Sequence, residues 1–233
     1  YPVKFDAEGK DTIEYLGKTY KPTSPEPRKP HEFALEMLQG RLSYPTTVFL
    51  NGYDKNANKF NVSMNAAGYL EVRKIEPILI FLVENASRNS SFDDFNRGYE
   101  RAFFDSSNSE RMKQLTWTDS RVFFAPAAVS KKKTMVMIDS EWCNACKVMR
   151  RTTFSDSTVV DYLKKTFDLV ELDATLADTL YFNGTPFAGL YQQFPFSQLS
   201  MAMCRNNLVL PMLVVLDENR QIVDAIPSYI TPS

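Results

Sequence analysis

An apolar run, Thr134-Met135-Val136-Met137-Ile138, leads within a few residues into Glu141-Trp142-Cys143-Asn144-Ala145-Cys146-Lys147, and a helical pattern follows. A buried strand that passes almost directly into a helix across two cysteines leaves few folds open. It places Cys143 at the helix start, where unpaired N–H groups and the positive end of the helix dipole stabilise a thiolate. Cys146 lies one turn in, within reach of a mixed disulfide formed on Cys143. The spacing therefore reads as a redox pair. Cys143 is expected to be exposed and to be alkylated ahead of Cys146 near neutral pH.

Zinc is the main competing use of such a pair. A structural zinc site takes four nitrogen or sulfur ligands. Only Cys204 and His31 remain, both far away and without matching spacing, so no metal is expected. A permanent staple is a weak alternative, because so short a loop gains little from closure. Cys204 sits in Met201-Ala202-Met203-Cys204 and reads as a small buried apolar residue. His31 reads as a solvated helix start rather than a catalytic base.

The chain has 233 residues and a formal net charge of −1. That length allows one large or two small domains. A balanced charge argues against nucleic acid as a partner, since phosphate binding needs a basic surface. Lys131-Lys132-Lys133 reads as a solvated loop before the strand. No stretch approaches the roughly 18 apolar residues of a membrane span. No signal peptide is visible, and three cysteines do not identify the compartment.

The sequence also repeats. Val3-Lys4-Phe5-Asp6-Ala7 matches Val170-Glu171-Leu172-Asp173-Ala174, Asp11-Thr12-Ile13 matches Asp178-Thr179-Leu180, and Gly17 matches Gly184. After the loss of one residue, Tyr44-Pro45-Thr46-Thr47-Val48 matches Leu210-Pro211-Met212-Leu213-Val214. Two unequal copies follow: a partial one in residues 1–90, without cysteines or a front half, and a fuller one in 131–233, joined by a helical linker over 91–130. The first copy then lacks the strand beside Val3–Phe5. Its open edge predicts packing against the second copy, self-association, or an upstream segment of roughly 35–45 residues. Within this frame, residues 31–39 and 75–85 read as helices, Thr46–Leu50 as a buried strand, and 53–69 as a hairpin with its tip at 55–58. Ser91 reads as the cap of a helix over Phe92–Phe104. A short helix or an irregular lead-in is expected over 116–129, a second helix of the fuller copy over 157–165, and a last strand over 221–226.

These residues resemble the thioredoxin superfamily. Trp142-Cys143-x-x-Cys146-Lys147, Thr153-Phe154-Ser155-Asp156, Leu172-Asp173-Ala174-Thr175 and Leu210-Pro211 before a strand carry the likeness, over residues 131–230. The second copy resembles the C-terminal periplasmic domain of the bacterial thiol-disulfide interchange transporter and related proteins of secreted or periplasmic type. The resemblance implies an α/β thioredoxin fold with a central mixed sheet flanked by helices. It implies a thiol-disulfide oxidoreductase in which Cys143 attacks, Cys146 resolves, Trp142 shields the pair and Lys147 adds positive charge. Leu210-Pro211 would be a cis element offering backbone to a substrate peptide. The implied partners are cysteine-containing proteins and an upstream electron donor, without a bound cofactor, in an extracytoplasmic and specifically periplasmic setting, with the cytoplasm not excluded. The carboxylate common six residues before the first cysteine is replaced by Met137, leaving Asp139, and less directly Glu141, to handle protons. The Asn-Ala spacer has no histidine to stabilise the thiolate, which favours reductase over oxidase. The rival reading is a scaffold that kept the fold and lost turnover.

Overall fold

A computed structural model describes residues 5–105, 114–125, 132–189 and 195–232 of the chain. The first strands, β1 (Ile13–Tyr15) and β2 (Lys18–Tyr20), pair antiparallel. Leu16 and Gly17 at φ 51° and 78° make the turn between them, and glycine relieves the second position. Helix α1 (Glu32–Met37) follows the proline-rich loop, and then β3 (Thr46–Asp54) and β4 (Lys59–Ala67) form a hairpin. Tyr20, Met37 and Phe60 are buried together, with Ile13, Phe33, Val48 and Tyr53 packed around them. The expected strand at Val3–Phe5 lies outside the described residues except for Phe5, which meets His31 and Phe33 edge-on.

The chain divides between Arg73 and Lys74 into two compact units. The sequence placed the boundary after residue 90. Helices α2 (Val72–Val83) and α3 (Phe92–Phe104) account for the difference. Phe81 packs on Phe92 and Phe95, and Phe95 packs edge-on against Tyr229 near the end of the chain. Helical periodicity shows that such a face must be covered, but not by what. Ser91 caps α3 as expected, accepting from the Asp94 N–H. Residues 91–130 are not merely a linker. Within them lie α3, β5 (Thr118–Asp119) and α4 (Ser120–Phe123), and β5 is an edge strand of the second unit's sheet.

That sheet adds β6 (Lys133–Asp139), β7 (Phe167–Asp173), β10 (Met212–Leu216) and β11 (Ile222–Pro227), in the order β11-β10-β6-β7-β5. It is mixed: β5 and β6 run parallel to β7, while β10 is antiparallel to both β6 and β11. Thr134–Ile138 are buried without alternation, as expected for a strand covered on both faces. Helices α5 (Asn144–Arg151), α6 (Ser157–Thr166) and α7 (Gln198–Met203) and the hairpin β8 (Leu180–Phe182)/β9 (Thr185–Phe187) complete the unit. Asp156 caps α6 through the N–H groups of Thr158 and Val159. The architecture is α/β, with a central mixed sheet flanked by helices.

Local geometry recurs around Ala7 and Ala174, Pro45 and Pro211, and Gly17 and Gly184, which the sequence matches. His31 N–H donates to Ala7 O at 2.8 Å, and Ser197 N–H to Ala174 O at 2.8 Å. Gly68 N–H donates to Pro45 O at 2.7 Å, and Ser228 N–H to Pro211 O at 2.7 Å. Asn183 and Gly184 turn β8 into β9 at φ 50° and 78°, as Leu16 and Gly17 do for β1 and β2. The bonds before Pro45 and Pro211 are both cis.

Candidate active site

Cys143 is the N-cap of α5, and its Sγ accepts from the Cys146 N–H at 3.1 Å. The two cysteines are joined in a disulfide. Strand β6 ends at Asp139, and the Ser140–Trp142 turn, closed by Cys143 N–H donating to Ser140 O at 3.0 Å, places the pair just past the C-terminal end of this central strand. Met212 pairs with Ile138. Leu210 and Pro211, just before β10, therefore lie at the same end of the sheet as the cysteines. Trp142 is exposed beside Phe196.

Cys143 is not exposed as expected: it has 0% of its surface accessible, against 2% for Cys146. Glu84, just beyond α2, lies against it. The Glu84 carboxylate accepts from the N–H groups of Asn144 at 3.2 Å and Ala145 at 2.7 Å, and Oε2 stands 3.5 Å from Cys143 Sγ. The approach of this segment is fixed on both sides. Glu84 N–H still bonds to Ile80 O, Asn85 reverses the chain at φ 55°, and Asn85 O accepts from Ser228 Oγ at 2.7 Å. Burial pushes the Glu84 carboxyl above its ordinary pKa, opposed by the two N–H donors and by Lys147. No sequence signal pointed to Glu84, since it lies 59 residues before Cys143 and in no motif.

Asp139 and Cys146 line one cleft of about 500 Å³, together with Ser140, Glu141, Lys147 and Arg150. Asp139 is mostly buried, and that burial raises its pKa, while Arg150 opposes the shift and Glu171 and Asp173 reinforce it. Arg150 Nε donates to Asp139 Oδ2 at 2.8 Å, and its NH2 group reaches Glu171 Oε2 at 3.2 Å. Ser140 Oγ is buried without a protein partner among the described residues.

Cys204 is buried and free, its thiol pushed up to about 12 by desolvation. His31 is not solvated. It is fully buried, with Nδ1 accepting from the Phe33 N–H to cap α1 and Nε2 2.9 Å from Asp11 O. A helix start needs an acceptor for its N–H groups, and the imidazole supplies one. Among the described residues no group of three or more His, Cys, Asp or Glu could hold a metal ion, and no helix is long and apolar enough to cross a membrane.

Residues 111–217 match the profile of a family described as thioredoxin-like, a span that contains Cys143, Cys146 and Pro211. Among solved structures, a disulphide isomerase from Xylella fastidiosa Temecula1 is similar over 41% of this chain and 60% of its own, at 17% identity and a TM-score of 0.30. The chain thus spans less than two thirds of that protein's length. No curated protein matches.

Proposed function

We propose that the thioredoxin-like domain of this chain is a thiol-disulfide oxidoreductase that acts on cysteine-containing proteins, as a reductase. The observation that carries the reading is the Cys143–Cys146 disulfide at the N-terminus of α5, with Leu210-Pro211 at the same end of the sheet. In the reducing direction the Cys143 sulfur attacks a substrate disulfide. A mixed disulfide forms, and the electron pair of the broken bond leaves with the other substrate sulfur. Cys146 then attacks Cys143, which releases the second substrate sulfur and closes the pair. An electron donor reopens it. Asp139, whose raised pKa suits proton exchange and whose cleft reaches Cys146, serves the resolving thiol in place of a carboxylate at Met137. Trp142 and the backbone of Leu210 receive the substrate strand, and Lys147 supplies positive charge. Glu141, at the cleft's rim, is a lesser contributor.

The recurring hydrogen bonds support reading the first unit as a second copy of part of the same fold. The extracytoplasmic setting is retained as part of the proposal and rests on the resemblance. The scaffold reading has one observation in its favour, the full burial of Cys143. Insulin reduction with dithiothreitol as donor separates the two. The wild type should accelerate precipitation of the insulin B chain, and Cys143→Ser should not. A wild-type rate equal to the dithiothreitol background would favour the scaffold.

A further inference from the structure

We propose that Glu84 is a catalytic residue of this site: in the reduced protein it accepts the Cys143 S–H as a hydrogen bond and takes its proton when the sulfur attacks. The inference deepens the reductase reading and rests on it. The geometry comes from an element outside the strand–helix motif. The end of α2 is pinned by Ile80, the Asn85 reversal and Ser228, so the carboxylate is held at the cysteine rather than reaching it by chance.

A first cysteine at a helix start ordinarily owes its acidity to the free N–H groups there. Here the Asn144 and Ala145 N–H groups are already taken by Glu84, and only the Cys146 N–H is directed at Cys143 Sγ. A carboxylate 3.5 Å from a fully buried sulfur also repels a thiolate. One negative charge is therefore held between the two groups, and one proton moves between them. Cys143 and Glu84 titrate as a coupled pair. Lys147, one turn along α5, favours the anion on Glu84.

The step balances. Cys143–SH, Glu84–COO⁻ and the substrate disulfide give Cys143–S–S–substrate, Glu84–COOH and a substrate thiolate, which then takes the proton back from Glu84. The substrate sulfur–sulfur bond breaks as the new one forms, and its electron pair leaves with the departing sulfur. A thiolate disfavoured in the reduced protein destabilises the dithiol form, so the pair is a stronger reductant than its spacer alone implies.

The test titrates Cys143 in full-length Cys146→Ser protein, with and without E84Q. It follows thiolate absorbance as a difference from the matching Cys143→Ser protein, and checks the fold of each variant by circular dichroism. Cys204, at about 12, stays silent over the range. With Glu84 present, the inflection should lie above the ordinary cysteine value of about 8.5. E84Q should lower it by at least about one unit, a tenfold rise in thiolate at a fixed pH below the inflection. In protein with Cys146 intact, E84Q should make the disulfide easier to reduce by glutathione. An inflection unmoved or raised by E84Q overturns the assignment. Should E84Q not fold, the Glu84-containing protein decides alone, and an inflection at or below about 8.5 overturns it. A protein that shows the Glu84-dependent inflection but does not reduce insulin would refute the reductase reading, and the catalytic role with it, and leave only the coupling of Glu84 to Cys143 standing.

Discussion

Arg150→Met removes a guanidinium from between two carboxylates while keeping most of the side chain's apolar stem. Three interactions are lost. The Asp139 contact is the strongest: Arg150 NH2 lies 2.7 Å from Oδ2, and the side chains are 27% and 18% exposed. A charge-assisted hydrogen bond in such a setting contributes about 1.5–3 kcal/mol. The Glu171 contact, with that side chain 43% exposed, is screened and adds about 0–1 kcal/mol. The stacking of Arg150 over Trp117, 5.3 Å from the ring centre, adds about 0.5–1 kcal/mol. The expected loss at neutral pH is therefore roughly 2–4 kcal/mol, allowing for non-additivity. With a urea slope of about 2 kcal/mol per molar, the midpoint falls by roughly 1–2 M. The chain's two tryptophans, Trp117 and Trp142, both lie in the second unit, so their fluorescence reports on it.

The sign of the pH dependence follows from Asp139. Burial raises its pKa, and removing Arg150 raises it further, with Glu171 and Asp173 still nearby. The ion pair contributes only while Asp139 is charged. Its contribution is present above the folded pKa of Asp139 and is lost as pH falls through it. The variant's deficit should shrink in acid. A deficit that is absent at neutral pH, or equal at neutral and acid pH, would refute the argument.

Two further outcomes follow from packing. A Cβ at Gly98 of α3 would stand 2.7 Å from the hydroxyl oxygen of Tyr229 and 3.4 Å from Val148. Gly98→Ala should therefore lower stability by about 0–2 kcal/mol in thermal melts, because an overpacking cost of about 1–3 kcal/mol outweighs a helix-propensity gain of up to about 1 kcal/mol. Cys204 should resist iodoacetamide near neutral pH until the unit unfolds, since it is buried and its thiol titrates at about 12; labelling at native rates equal to denatured rates would contradict its burial.

Local features of this molecule were legible in sequence. The apolar run at 134–138 gave β6, Ser91 and the spacing of Phe92, Phe95 and Tyr99 gave α3 to the residue, and the Cys-x-x-Cys placed the cysteine pair at the start of α5. Periodicity, caps and short motifs act over a few residues and leave a mark there. What went unread depends on who covers whom. The aromatic face of α3 announced a partner without naming it, so residues that belong to the second unit read as a linker. The same blindness hid the site's cover. Nothing in the neighbourhood of Cys143 indicates that a carboxylate 59 residues earlier closes over it. His31 shows the reverse case, in which position in a helix was foreseen and burial was not.

The central claim is that Cys143 is the sulfur that meets substrate and Cys146 the one that resolves. It is tested most directly by offering reduced Cys146→Ser protein an extended peptide disulfide and locating the adduct by mass spectrometry of its digest. The account predicts a stable mixed disulfide on Cys143 that does not form with Cys143→Ser protein. No adduct on Cys143, or an adduct that forms on Cys146 when Cys143→Ser protein is used instead, would contradict it.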